Sequence, residues 1–72
     1  MLTATPALAV SFDSFYLTKN RTAELMFNFG GSFAQGLALA LRHADRDNSR
    51  RIYEAFPELL TPYSPGGKFH PA

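Results

Sequence analysis

Arg42-His43-Ala44-Asp45-Arg46-Asp47-Asn48-Ser49-Arg50-Arg51 is the densest run of side chains in this sequence that could do chemistry. Asp45-x-Asp47-x-Ser49 has the spacing of oxygen ligands with which a calcium loop of the EF-hand kind opens. Such a loop needs glycine at its sixth place and glutamate at its twelfth, where Arg50 and Phe56 stand. The calcium reading fails at both, and a chain without cysteine has no thiolate site. No metal-ligating or cofactor-binding residue is expected. His43 is within reach of Asp45, but no cysteine or glycine-flanked serine offers a nucleophile, and 72 residues are few for a cleft that excludes water. Read this way, the chain has no catalytic residue and is not an enzyme, and His43 is a helix-end cation.

Phosphate binding is the remaining chemistry for this run. Arg42, Arg46, Arg50 and Arg51 put four guanidiniums into ten residues, but Asp45 and Asp47 reduce the local charge to +2. That is weak for a duplex, whose affinity comes from several neutralised phosphates. Gln35-Gly36-Leu37-Ala38-Leu39-Ala40-Leu41 superficially resembles the first helix of phage-repressor DNA readers. The apolar positions that family requires next fall here on His43, Asn48 and Arg51, all polar. A nucleic-acid-binding regulator using the four arginines is therefore the alternative function.

The elements that must carry these residues follow from composition and period. Val10 and Ile52 are the only valine and isoleucine, while Leu, Ala and Phe supply the apolar content. Leu and Ala favour helices and the scarcity of β-branched residues argues against a sheet, so the fold is expected to be all-α, a small helical bundle or hairpin. With Phe33 at zero on a helical wheel, Phe29, Met26, Leu37, Ala40, Leu41 and Ala44 fall within about 80° of it. Glu24, Gln35, Asn28 and Arg42 fall on the opposite side. This phase favours one long helix over residues 20–44, capped by Asn20 and kinked at Gly30-Gly31, with two helices broken at the glycines as the alternative. Carried backwards, the wheel puts Phe15 at about 0° but Lys19 inside the apolar arc and Leu17 on the polar side. Phe12, Phe15, Tyr16 and Leu17 are therefore read as a separate short helix begun by Ser11 or Asp13. Asp45, Asp47, Asn48 and Ser49 signal the start of a further helix, and Pro57 ends it and opens another. Residues 1–63 are expected as one helical domain with an irregular arm at 1–10. Residues 64–72, rich in Pro and Gly, are expected as a flexible tail.

Surfaces for a partner come out of the same wheel. Ser32, Gly36, Ala40 and Ala44 form a stripe of small residues that lets another helix approach, either the chain's own second helix or a second copy. Phe27, Leu39 and Tyr53 are large apolar groups left over from the core and are candidates for an exposed partner-binding surface. Leu25–Leu41 has no charge, but at 17 residues with Asn28, Ser32 and Gln35 inside it, a membrane span is not expected. Met1–Val10 has no basic residue before its apolar run and contains Pro6, so it does not read as a secretory signal.

One further pattern bears on setting. His43-Ala44-Asp45-x-x-Asn48-x-x-Arg51-Ile52-x-x-Ala55-Phe56-Pro57-Glu58-Leu59, preceded by Phe29-Gly30-Gly31-Ser32-Phe33-Ala34, resembles small uncharacterised proteins of phages and prophages. The resemblance implies a cytoplasmic, phage-type setting and carries over no functional residue. The resulting expectation is a small non-enzymatic protein-binding factor, an accessory protein or an inhibitor. It would bind a host or phage protein, use no cofactor, and self-associate, as a dimer for example.

Overall fold

The computed structural model describes residues 10–70. Five α-helices follow one another: α1 Phe12–Leu17, α2 Lys19–Phe29, α3 Ser32–His43, α4 Arg46–Ala55 and α5 Pro57–Leu60, then a 3-10 turn Thr61–Tyr63. The expected all-α class is what forms, with no strand among the described residues. Of the irregular arm expected at 1–10, all but Val10 lies outside them.

Helix boundaries fall where side chains satisfy the free backbone groups. Ser11 caps α1, its Oγ accepting from the Ser14 N–H at 3.2 Å. Asp45 caps α4, its Oδ1 accepting from the Asn48 N–H at 2.8 Å, and Asp47 sits in the first turn where the helix dipole favours an anion. Pro57 takes the first position of α5, where its missing N–H is no loss. Asn20 is not the cap expected of it. Thr18 precedes α2, and Asn20 is already inside its first turn.

The long kinked helix does not form. Gly30 and Gly31 are both extended, at φ −93°, ψ 169° and φ −81°, ψ −170°, and the chain reverses there. Helices α2 and α3 then pack as an antiparallel hairpin, the most extensive helix pair in the molecule. Lys19 at the start of α2 donates from Nζ to the carbonyls of Leu41 and Arg42, both at 3.0 Å, so it closes the end of α3. Helix α2 buries Thr22, Ala23, Leu25 and Met26, and α3 buries Ala34, Ala38 and Leu41. On the common wheel these two inward faces are about 100° apart, so one continuous phase does not describe them. Gly30 is required by close approach. A Cβ there would collide with the Ala34 Cβ and stand 2.6 Å from the Met26 carbonyl oxygen.

Helix α1 closes over α4, and α5 and the 3-10 turn close the turn end of the hairpin. Phe15, Met26, Leu41 and Leu60 are fully buried at the centre. Of the flexible tail expected at 64–72, residues 64–70 fold back on this end and 71–72 lie outside the described residues. The Phe69 N–H donates to the Pro62 carbonyl at 2.8 Å. Its ring stacks between Phe29, with centroids 4.9 Å apart, and Tyr63, at 5.3 Å. Gly66 supplies the left-handed turn at φ +84° that brings the segment round.

One buried polar atom has no partner among the described residues on α2. Thr22 is fully buried and its Oγ1 has no hydrogen bond. Thr22→Val removes an unpaired hydroxyl while nearly keeping the shape, and is expected to stabilise the fold by about 1 kcal/mol. Thermal denaturation checks this. The melting temperature should rise by several degrees, and a fall would mean that the hydroxyl has a bonding role.

Candidate interaction surface

Helix α3 turns its inner side to α2 and leaves its other side open. Ser32, Gly36 and Ala40 are exposed on that open side, while Ala44 has left the helix and is its half-buried C-cap. The chain's own second helix does not fill the groove between them, because α4 packs chiefly against α1. Among the described residues, and apart from its chain neighbours and its own helix backbone, no atom lies within 4 Å of where a Gly36 Cβ would stand. Gly36→Ala is therefore expected to raise stability by up to about 1 kcal/mol, the helix-propensity difference with nothing to oppose it. Urea denaturation checks the sign.

The large apolar candidates separate into two kinds. Phe27 and Leu39 are 46% and 49% exposed, as their wheel positions implied. Tyr53 is not a surface group. Its hydroxyl donates to the Val10 carbonyl at 2.8 Å, and its ring meets Phe12 edge-on at 5.4 Å and Phe15 at 5.3 Å. Tyr53 holds α1 against α4.

Three exposed residues escaped the sequence reading. Leu17 is 84% exposed, Phe29 57% and Phe33 63%. The single-helix wheel put Phe29 and Phe33 at the centre of its apolar arc. With the chain reversed at Gly30-Gly31 they flank the turn instead, Phe29 stacked on Phe69 and Phe33 edge-on to Phe56 at 5.8 Å. Gln35 lies between the two helices and donates from Nε2 to the Phe27 carbonyl at 3.1 Å. The hairpin thus carries four partly exposed large apolar side chains, Phe27, Phe29, Phe33 and Leu39, in a stretch with no charged residue. The only signal that could have shown this was the glycine pair read as a turn.

The arginines do not act as one set. Arg46 pairs with Asp13 at 2.8 Å and lies over the rings of Phe12, at 5.0 Å, and Tyr16, at 5.2 Å. Arg50 lies over the Phe12 ring at 4.2 Å, with Glu54 at 3.7 Å. Both therefore help dock α1 on α4 by cation–π contact. Arg51 is exposed on α4. Arg42 stands apart from it, beside an open hollow lined by Asn20, Arg21 and Glu24, where Arg21 and Glu24 pair at 2.8 Å.

Set against models of known protein families, curated proteins and solved structures, the chain matches none. Its own geometry carries the reading. Among the described residues no three His, Asp or Glu side chains come together as metal ligands, and no helix is long and apolar enough to cross a membrane. His43 is exposed in the last turn of α3, next to the carbonyl end of the helix.

Proposed function

We propose that this chain is a non-enzymatic protein-binding module that works through the uncharged face of its α2–α3 hairpin. The observation that carries this reading is the exposure of Phe27, Phe29, Phe33 and Leu39 on one supersecondary unit of a small chain. Large apolar groups scattered singly are ordinary on a surface, whereas several on one uncharged unit favour contact with another protein. Covering each remaining half-ring is worth roughly 1–1.5 kcal/mol before association entropy is met. Helix faces of this kind suit another folded chain, since apolar rings by themselves give phosphates nothing to bind. The nucleic-acid alternative is weakened, because Arg46 and Arg50 are engaged with Asp13, Glu54 and the α1 aromatics. The setting implied by the phage and prophage resemblance, an accessory factor or inhibitor in the cytoplasm, belongs to the same proposal.

Combining Phe29→Ser with Phe33→Ser is expected to abolish protein association while leaving the helical circular-dichroism spectrum in place. Association is read by light scattering of the chain alone and by co-purification with proteins of a candidate host. Arg42→Gln with Arg51→Gln should weaken it far less. Retention on DNA that falls steeply with the logarithm of salt concentration, lost in the arginine pair, would replace this reading with the nucleic-acid one.

A further inference from the structure

Resting on that protein-binding reading, we propose that the partner of the α3 face is a second copy of this chain, paired antiparallel with Gly36 against Gly36. Phe33 and Leu39 lie three residues to either side of Gly36, and Ser32 and Ala40 four. At about 100° per residue all five point within about 60° of one direction. All five are exposed and uncharged. Burial repeats the same symmetry about Gly36. Gln35 and Leu37 are half-buried, Ala34 and Ala38 buried. A two-fold interface uses one patch twice, so the patch must complement itself. Here each large side chain has a small one to pack on. In the antiparallel pair Phe33 of one copy lies over Ala40 of the other, and Leu39 over Ser32. The open space above Gly36 lets the two backbones come close.

Glu58 and Arg42, at opposite ends of α3, favour one direction of pairing. At the start of α3, Phe33 rests on Phe56, and Glu58 follows two residues later, exposed and without an ion-pair partner among the described residues. Lys68, near the same end, has its Nζ 5.3 Å from the Phe69 ring centroid. At the other end stand Arg42 and His43, exposed, and the Lys19 ammonium. Antiparallel pairing brings Glu58 of each copy toward Arg42 of the other, whereas parallel pairing sets Glu58 on Glu58 and Arg42 on Arg42. The helix dipoles agree with the antiparallel arrangement. One helix face is smaller than the roughly 800 Å² per partner of a standard interface, so a Kd on the order of 10–100 µM is expected.

The absence of cysteine makes the geometry directly testable. In sedimentation equilibrium the mass should rise from 8.0 kDa toward twice that across the micromolar range. A mixture of the Ser32→Cys and Ala40→Cys chains should form a disulfide-linked dimer containing one of each. Neither variant alone should cross-link. Gly36→Leu, which meets open space in the single chain, should weaken association at least tenfold without lowering the melting temperature. A chain that stays monomeric at several hundred micromolar overturns the proposal. So does efficient cross-linking within Ser32→Cys alone and Ala40→Cys alone, which is the parallel arrangement. If either happens while Phe29→Ser with Phe33→Ser still abolishes binding to another protein, the protein-binding reading stands and only the choice of partner falls.

Discussion

Replacing Gly30 by alanine is expected to cost about 3 kcal/mol, most of the stability of many chains this size. The backbone dihedrals of Gly30 are extended and open to any residue, so the penalty is steric and not conformational. The added methyl would collide with the Ala34 Cβ and stand 2.6 Å from the Met26 carbonyl oxygen, with the Tyr63 hydroxyl at 3.4 Å. Neither Ala34 nor a helical carbonyl has a rotamer that moves aside, so α3 must lift from α2. Gly31 is the internal control. A Cβ there meets no atom of the described residues within 4 Å beyond its chain neighbours and its φ is −81°, so Gly31→Ala is expected to be neutral or stabilising by less than about 1 kcal/mol. Urea denaturation of the two variants side by side checks the contrast. Equal stability of both would mean that the hairpin does not turn as described.

Phe15→Ala is expected to be at least as damaging, at about 3–5 kcal/mol. Phe15 is wholly buried, with Tyr53 at 5.3 Å and Phe12 at 6.4 Å between ring centroids. Its removal leaves a cavity where α1 meets α4, and a chain of this size has few other apolar contacts to collapse into it. The melting temperature should fall by about 15 °C or more, or the chain should be largely unfolded at room temperature. Leu17, two residues on and 84% exposed, gives the comparison. Leu17→Ala is expected to change stability by no more than about 0.5 kcal/mol.

The two pairs of variants also divide what could be read from the chain from what could not. The helix starts were legible to within a few residues, as Ser11 or Asp13, one of Asp45, Asp47, Asn48 and Ser49, and Pro57, because a cap acts on backbone groups within three residues of itself. The all-α class was legible for a related reason, since propensity summed over Leu, Ala and Phe is a local property of the residues. Phe27 and Leu39 were placed on the surface because each lies more than about 100° from the inward side of its helix, whichever phase the two helices take.

Gly30-Gly31 was not legible in the same way. A helical wheel measures angle about one axis, and two glycines allow both a kink and a reversal. What selects the reversal is the shared burial of Ala34 and Ala38 on α3 with Ala23 and Met26 on α2, residues that come into one core only after the chain has turned. That choice moved Phe29 and Phe33 from the supposed core to the surface and opened Gly36 to solvent. Arg46 and Arg50 were equally beyond local reading, because the aromatic faces they cover belong to a helix more than thirty residues away. Nor could the Pro- and Gly-rich end of the chain be read locally, since Phe69 orders it only where Phe29 and Tyr63 already stand. The sequence by itself determined the helices, their starts and the amount of apolar surface to be covered, because these depend on neighbours along the chain. Which of that surface stays open for a partner was decided by tertiary packing, because burial at one helix depends on which other helix arrives to cover it.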